Sequence, residues 1–253
     1  MLGWAHIWQI FLAFGVALAA GAVNSVAGGG SILTFPTLIW LGLPPVMANA
    51  TNTVAVWPGT VSAAWHLRGE VVKTRSRWLW LGVPSLLGGG LGAWLLLNTN
   101  ANIFRGMAPW LILAATCIFA FEGRLRALTT TGRLHSVTWA VVLQFLIALY
   151  GGYFGAGIGI LMLTTLGLLE PQNIHLQLGL KNLFAALING VAVVYFILAH
   201  RVVWHAGLLM AVAAIIGGLS GAQFARRVQK QTIRKVVVTI GVILSVALLI
   251  YQG

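Results

Sequence analysis

Acidic residues are nearly absent from this sequence. Its 253 residues include three acidic side chains, the glutamates Glu70, Glu122 and Glu170, and no aspartate. A carboxylate dyad, a carboxylate cage for a metal ion and a P-loop with its acidic magnesium partner all need more acidic residues than this. Enzymes built on such groups are excluded, and we expect neither catalysis nor a cofactor.

Cysteine and charge are scarce as well. Cys117 is the single cysteine, which excludes an internal disulfide and any cysteine-based zinc or iron–sulfur site. Charged residues make up 7% of the chain, whereas an ordinary soluble domain has roughly 25%. Because 59% of the residues are hydrophobic, the composition indicates a protein that crosses a membrane several times.

The hydrophobic residues form two series of five segments, and a membrane-spanning helix takes about 20 residues. The first series covers 5–27, 30–42, 46–66, 78–97 and 105–121, and the second covers 136–155, 157–169, 173–198, 205–224 and 235–251. We therefore predict an all-α polytopic membrane protein with about ten hydrophobic segments. Its parts are a first transmembrane repeat at 1–121, a cytoplasmic linker at 122–135 and a second transmembrane repeat at 136–253.

The basic residues predict the orientation of the chain. Of the 15 lysines and arginines, twelve fall within 66–77, 122–135 and 226–235. Cytoplasmic loops collect such residues, and an even number of segments separates these three loops, as a shared side requires. Both termini are then periplasmic. The net charge of +12 orients the chain and faces anionic lipid, so we expect no nucleic-acid partner.

The two halves resemble each other in their glycine clusters. Ala27–Leu33 aligns with Gly155–Leu161 at an offset of 128, and Gly89 aligns with Gly218 at an offset of 129. Two separate matches therefore agree on one register. With five segments per half, the second half enters the membrane upside down relative to the first, which predicts an inverted repeat.

Each glycine cluster precedes an unusually short hydrophobic stretch. The stretches 30–42 and 157–169 have 13 residues each, and 13 residues of helix cover about 20 Å of a hydrocarbon core about 30 Å thick. We predict a half-helix in each half, separated by glycine from the span before it. Paired breaks of this kind in inverted halves are typical of the substrate site of a transporter.

The glycine breaks are candidate sites for an oxyanion. Free N–H groups at the N-terminus of a half-helix carry a partial positive charge, and glycine lets an anion approach them closely. The alternative is that these small residues serve close packing between helices. The candidate donors are Gly28, Gly29, Gly30, Ser31, Gly155, Gly157 and Gly159.

Polar side chains follow in the next span of each half. Asn52 falls on Lys181 at the alignment offset and on Asn182 after a shift of one residue. A lysine inside a span is costly, so Lys181 is the candidate charge for anion binding, with Asn52 and Asn182 orienting the anion. The alternatives are that Lys181 extends to the membrane surface and that the asparagines hydrogen-bond between helices.

These motifs resemble those of the sulfite exporter family, TauE/SafE. The resemblance runs in order through both halves. It rests on Asn24–Ser31 with Pro36, Ala48–Asn52, Gly69, Gly88–Gly92, Gly151–Gly159 and Lys181–Asn182. It implies a multi-pass permease of the bacterial inner membrane that transports sulfur-containing anions such as sulfite, thiosulfate or organosulfonates. Members of the family differ in substrate and direction, so neither is implied for this chain.

The sequence thus predicts a secondary transporter that works by alternating access. A passive anion channel is the nearest alternative, and a membrane scaffold for a sulfur-metabolising partner is another. The expected partners are a small sulfur-containing anion and membrane lipid. The coupling ion and the oligomeric state, a homodimer included, stay open. So does the choice between full crossing and re-entry for the two short segments.

Overall fold

The chain folds into a bundle of helices. The structure is a computed structural model and describes residues 7–26, 29–73, 79–131, 136–169, 173–224 and 230–252. Within these ranges every regular element is helical and no β-strand occurs. Four helices are long and apolar enough to cross a membrane, at Ile7–Asn24, Leu79–Asn98, Ala101–Ala120 and Ile174–Leu198. The prediction of an all-α polytopic membrane fold is confirmed.

Twelve α-helices occur in the described ranges. The helices of the first half are α1 (Ile7–Val26), α2 (Ser31–Trp40), α3 (Pro45–His66), α4 (Arg68–Lys73), α5 (Gly82–Asn98) and α6 (Ala101–Ala120). The linker contains α7 (Glu122–Thr131). The second half comprises α8 (Val137–Tyr153), α9 (Ile158–Leu169), α10 (Ile174–Leu198), α11 (Trp204–Phe224) and α12 (Lys230–Gln252).

Local sequence signals explain where several helices begin. Pro45 starts α3, where its fixed φ suits a helix and its missing N–H costs nothing. The side chains of Asn100, Ser136 and Asn173 accept hydrogen bonds from backbone N–H groups in the first turns of α6, α8 and α10. These caps satisfy N–H groups that have no partner inside the helix.

The short helix α2 turns back along α1. It has 10 residues, or about 15 Å of helix, and cannot cross the hydrocarbon core. Trp40 at its end packs edge-on against Trp8 near the start of α1, with ring centroids 6.0 Å apart. At its other end, Gly30 lies against the backbone of Ala20. The pair is therefore a hairpin, in which α2 returns to the side where α1 begins.

The short helix α9, with 12 residues, forms a similar hairpin with α8. Ile158 at its start packs against Gly151 in the last turn of α8. Because the chain reverses at this point, α9 also runs back along its predecessor, and it packs against α7. Both predicted half-helices are thus present as short helices that follow a break.

Helices of the two halves exchange packing partners. Helix α1 packs along α11, and α5 packs along α8. Helices α3 and α10 contact each other; in addition, α3 contacts α11, and α10 contacts α5. The result is two groups of helices. The first group consists of α1, α2, α3 and α11, and the second consists of α8, α9, α10 and α5. Helix α6 pairs with α12 beside these groups. Each group contains one hairpin, one long helix and one glycine-rich helix from the other half.

Glycines allow the closest helix pairs to meet. A Cβ atom on Gly217 of α11 would overlap the carbonyl of Leu18 in α1, and one on Gly152 of α8 would overlap the carbonyl of Gly89 in α5. Backbones approach this closely only where side chains are absent. For these glycines, close packing is the role that the structure supports.

Helices α3 and α10, one from each group, run antiparallel to each other where the two groups meet. Trp57 Nε1 donates a hydrogen bond to the carbonyl of Ala186 at 3.0 Å, and Gly190 faces the Trp57 indole. Further along, Gly179 near the start of α10 packs against Leu67 just after the end of α3. The start of each helix therefore lies beside the end of the other.

The connections fall at two ends of the bundle. At one end Val203 N–H, in the α10–α11 turn, donates to Thr51 Oγ1 near the start of α3 at 3.0 Å. At the other end, the basic end, α4 packs against α10, α7 packs against α9, and Gly123 lies beside the guanidinium of Arg234 at the start of α12. The basic end thus brings together α4, α7 and the start of α12.

Candidate functional site

The first glycine break lies between α1 and α2. Ala27 and Gly28 lie outside the described residues, whereas Gly29 and Gly30 are buried. A Cβ on Gly30 would come 2.5 Å from the Ala20 carbonyl oxygen, and one on Gly29 would come 2.5 Å from the ring of Phe119. Glycine is therefore required at both positions. Gly30 is the N-cap of α2 and has no side chain to cap the helix. The N–H groups of Ile32 and Leu33 donate instead to the carbonyls of Gly29 and Gly30, at 3.1 and 3.0 Å.

The second glycine break lies between α8 and α9. Gly155 and Gly157 both have a φ of 81°, the left-handed conformation that side chains disfavour. The N–H of Gly155 donates to the carbonyl of Tyr150 at 3.2 Å, which closes the end of α8 as in a left-handed helix cap. The Tyr150 hydroxyl donates to the carbonyl of Ala156 at 2.8 Å. This break is therefore held in one conformation from both sides.

Both breaks lie against one face of α6. Gly29 packs on Phe119, and a Cβ on Gly157 would lie 3.8 Å from Ala115 and Ile118. Residues three and four apart share a helix face, so these α6 residues belong to about one helical turn. The N-termini of α2 and α9 therefore lie near the same turn of α6, and each carries a partial positive charge.

Aromatic rings connect the two breaks. Phe35 of α2 packs edge-on against Phe154 of the second break at 5.1 Å, and it also meets Phe104 of α6 at 6.5 Å. Phe104 packs in turn against Tyr153 at 5.8 Å. Edge-to-face pairs of this kind stabilise a packed contact beyond their buried area. The first half-helix is thus fastened to the start of the second break.

Asparagines of α3 hydrogen-bond to both hairpins. The Thr34 hydroxyl on α2 donates to Asn52 Oδ1, and Asn49 Nδ2 donates to the carbonyl of Tyr153 at the end of α8 at 3.0 Å. Asn49 and Asn52 are both buried. The sequence predicts Asn52 as a residue of the site, but it does not predict that Thr34 and Tyr153 bind the asparagines of α3. The available signal was that Thr34 follows Gly30 by one helical turn.

Lys181 and Asn52 do not come together. Each lies five residues before the contact between Trp57 and Ala186, on helices that run in opposite directions. At 1.5 Å per residue the two are about 15 Å apart along the helix pair. Lys181 is partly buried toward the basic end, and among the described residues no hydrogen bond or ion pair reaches it. Asn182 is buried beside it.

The distance from Lys181 to the second break is shorter. Ile188 of α10 packs against Gly151 in the last turn of α8, and Lys181 precedes it by seven residues, or about 10 Å of helix. Of the predicted donors, Gly29, Gly30, Gly155 and Gly157 face α6 or line the breaks. Ser31 and Gly159 lie in the first turns of α2 and α9 and are partly exposed.

The fold places this protein in the class of all-α polytopic membrane proteins. The profile of the family described as "Sulfite exporter TauE/SafE" matches residues 13–248. The chain belongs to that family. Its relatives are named as probable membrane transporters.

Several curated relatives match almost end to end. A "Probable membrane transporter protein" of Haemophilus influenzae is 29% identical over 95% of this chain and 94% of its own length. The "Probable membrane transporter protein YfcA" of Escherichia coli K12 is 27% identical over 93% and 88%. "Probable membrane transporter protein YunE" of Bacillus subtilis is 26% identical over 93% and 95%. No solved structure matches the fold.

Proposed function

We propose that this protein is a secondary transporter for small sulfur-containing oxyanions, such as sulfite, thiosulfate or organosulfonates, and that it works by alternating access. The observation that carries the proposal is the convergence of two half-helix N-termini on one turn of α6. Backbone N–H groups and the helix dipole at such ends attract an anion without any charged side chain. Gly157 leaves space beside its backbone, whereas Phe119 and Ala20 already fill the space beside Gly29 and Gly30.

In this proposal the donors are Gly28, Gly29, Gly30 and Ser31 from the first break and Gly157 and Gly159 from the second. The N–H of Gly155 already donates to the Tyr150 carbonyl, so Gly155 shapes the turn and is not itself a donor. Asn52 holds α2 in place through Thr34 and turns its amide toward the anion. Lys181 and Asn182 act from the basic end. At about 10 Å and an effective dielectric constant of about 20, a lysine attracts a single anionic charge by roughly 1.7 kcal/mol, so Lys181 strengthens binding without direct contact.

We propose further that the two halves are inverted repeats related by a two-fold axis. The exchange of partners supports this, because α1 with α11 corresponds to α8 with α5, and α3 with α11 corresponds to α10 with α5. Trp57 and Ala186, which share a hydrogen bond, are 129 positions apart. That is the offset of the sequence alignment, and equivalent residues meet only near such an axis. Rocking of one half against the other would then expose the site alternately.

Uptake of radioactive sulfite and thiosulfate into proteoliposomes tests the function. We expect saturable flux that Gly29→Leu abolishes, because the new side chain meets Phe119, and that Lys181→Ala weakens through a KM higher by on the order of tenfold. Gly15→Leu on α1 is the matched control, since Gly15 has open space around it. Unchanged flux when Gly29→Leu and Lys181→Ala are combined would reject the proposal.

Turnover separates a transporter from the alternatives. A passive channel would show unitary conductance in a planar bilayer, whereas alternating access gives slow, saturable exchange without it. A scaffold for a sulfur-metabolising partner would tolerate Lys181→Ala and would lose its partner when the arginines of the basic end are replaced.

A further inference from the structure

Asn49 has a buried polar atom that no described group satisfies. The residue is 1% exposed, and its Oδ1 has no hydrogen-bond partner within the described residues. The large majority of buried side-chain polar atoms in native proteins have a hydrogen-bond partner. An orphan acceptor beside a helix break therefore points to a bound species that the acceptor contacts.

The orientation of this amide follows from its neighbour. Asn49 Nδ2 lies 3.0 Å from the carbonyl oxygen of Tyr153, and a carbonyl only accepts hydrogen bonds. The amide nitrogen must therefore face Tyr153, which fixes Oδ1 as the free atom. The partner that Asn49 Oδ1 requires is consequently a hydrogen-bond donor or a cation.

The surroundings of Oδ1 favour a cation over an anion. Tyr153 is the last residue of α8, and the carbonyl groups of a final helical turn carry a partial negative charge. An oxyanion is repelled here, whereas hard oxygen ligands at the end of a broken helix suit Na⁺.

The charge of the ion follows from the missing carboxylates. The chain has no aspartate. Of its glutamates, Glu170 lies outside the described residues, and Glu70 and Glu122 belong to α4 and α7 at the basic end, far from Asn49 near the start of α3. Divalent ions are held in proteins by carboxylates, so neutral oxygens alone favour a single positive charge.

We propose that Na⁺ binds at the second break, between Asn49 Oδ1 and the C-terminal carbonyls of α8 around Tyr153. The N-terminus of α9 lies at the other side of the same break, residues 154–157. The cation site and one half of the anion site thus share a four-residue connection. Coupling of Na⁺ to anion flux rests on the proposed function, whereas Na⁺ binding does not.

Equilibrium binding of ²²Na⁺ to the purified full chain, in choline chloride and without any sulfur anion, tests the site. We expect saturable binding that unlabelled Na⁺ displaces and choline does not. Asn49→Ala should weaken it by about 10- to 100-fold. Gln144→Ala is the matched control, because Gln144 is a buried amide of α8 that is satisfied by Ser85, and it should bind Na⁺ like the wild type.

Two results would overturn the proposal: no saturable ²²Na⁺ binding by the wild type, or equal binding by Asn49→Ala. A melting curve of the wild type serves if Asn49→Ala does not fold. A Tm that rises in NaCl relative to choline chloride and KCl supports the site, and a Tm independent of the cation means that only water occupies it. Anion flux without Na⁺ binding rejects this inference alone, and Na⁺ binding without anion flux rejects the proposed function alone.

Discussion

At the residue scale, the glycines divide according to what a side chain would meet. A Cβ on Gly30 would meet a backbone carbonyl, and one on Gly29 would meet the buried ring of Phe119, whereas Gly15 has open space around it. Gly157 has room for a side chain, but its φ of 81° disfavours one. Glycine is therefore needed for three different reasons: contact with a backbone carbonyl, contact with a buried ring and a positive φ. The sequence does not distinguish these reasons.

Gly30→Ala should destabilise the protein, and Gly15→Ala should not. Backbone cannot move aside as a flexible side chain can, so crowding at Gly30 should cost about 1–3 kcal/mol. Gly15 lies inside α1, where alanine is favoured over glycine by up to about 1 kcal/mol. Unfolding of the purified variants in detergent measures both. Equal stability of the two variants would show that Gly30 and Ala20 are not in contact.

At the element scale, each half-helix is held by a few specific links. Helix α2 is fixed to α3 by the hydrogen bond from Thr34 to Asn52 and to the second break by the rings of Phe35 and Phe154. Since α2 has only 10 residues, its own helical stability is marginal. The direction of its dipole therefore depends on these contacts.

Thr34→Val should reduce transport and lower stability slightly. The substitution keeps the shape but leaves the buried Asn52 Oδ1 without its donor, at a cost of about 1 kcal/mol. Thr34→Ser should restore both properties. Thr164→Val is the control, because the Thr164 hydroxyl bonds within α9, to the carbonyl of Ile160. Wild-type flux of Thr34→Val in proteoliposomes would contradict a positioning role for this bond.

At the scale of the whole molecule, the two ends of the bundle differ in charge. The basic end brings together α4, α7 and the start of α12, while Arg201 lies in the α10–α11 turn at the other end. Because positive loops stay in the cytoplasm, this difference predicts how the protein sits in the membrane.

Cysteine labelling of intact cells tests that orientation. In a Cys117→Ser background, Arg201→Cys should react with a membrane-impermeant maleimide from outside, and Arg124→Cys should react only after permeabilisation. Both arginines are exposed, so burial does not limit the reaction. The reverse pattern would mean that the basic end is periplasmic and that the termini are cytoplasmic.

Much of the fold was predictable, because its signals are local. Apolar composition predicted the helices, the glycine clusters predicted breaks near residues 27–30 and 154–157, and the short stretches after them became α2 and α9. The site was only partly predictable. Asn52 was assigned from its polarity within a span. Thr34 could not be assigned, because the sequence does not distinguish it from Thr37, whose hydroxyl bonds only within its own helix.

The sequence by itself determined which segments are helical, where they break and how charge is distributed, since each depends on residues close together in the chain. Only the tertiary structure decided which elements meet. The antiparallel packing of α3 and α10 separates Lys181 from Asn52 by about 15 Å along the helices and places Asn49 at the end of α8. The physical reason is that contacts between helices depend on their direction and on close approach at glycine, which no local pattern records.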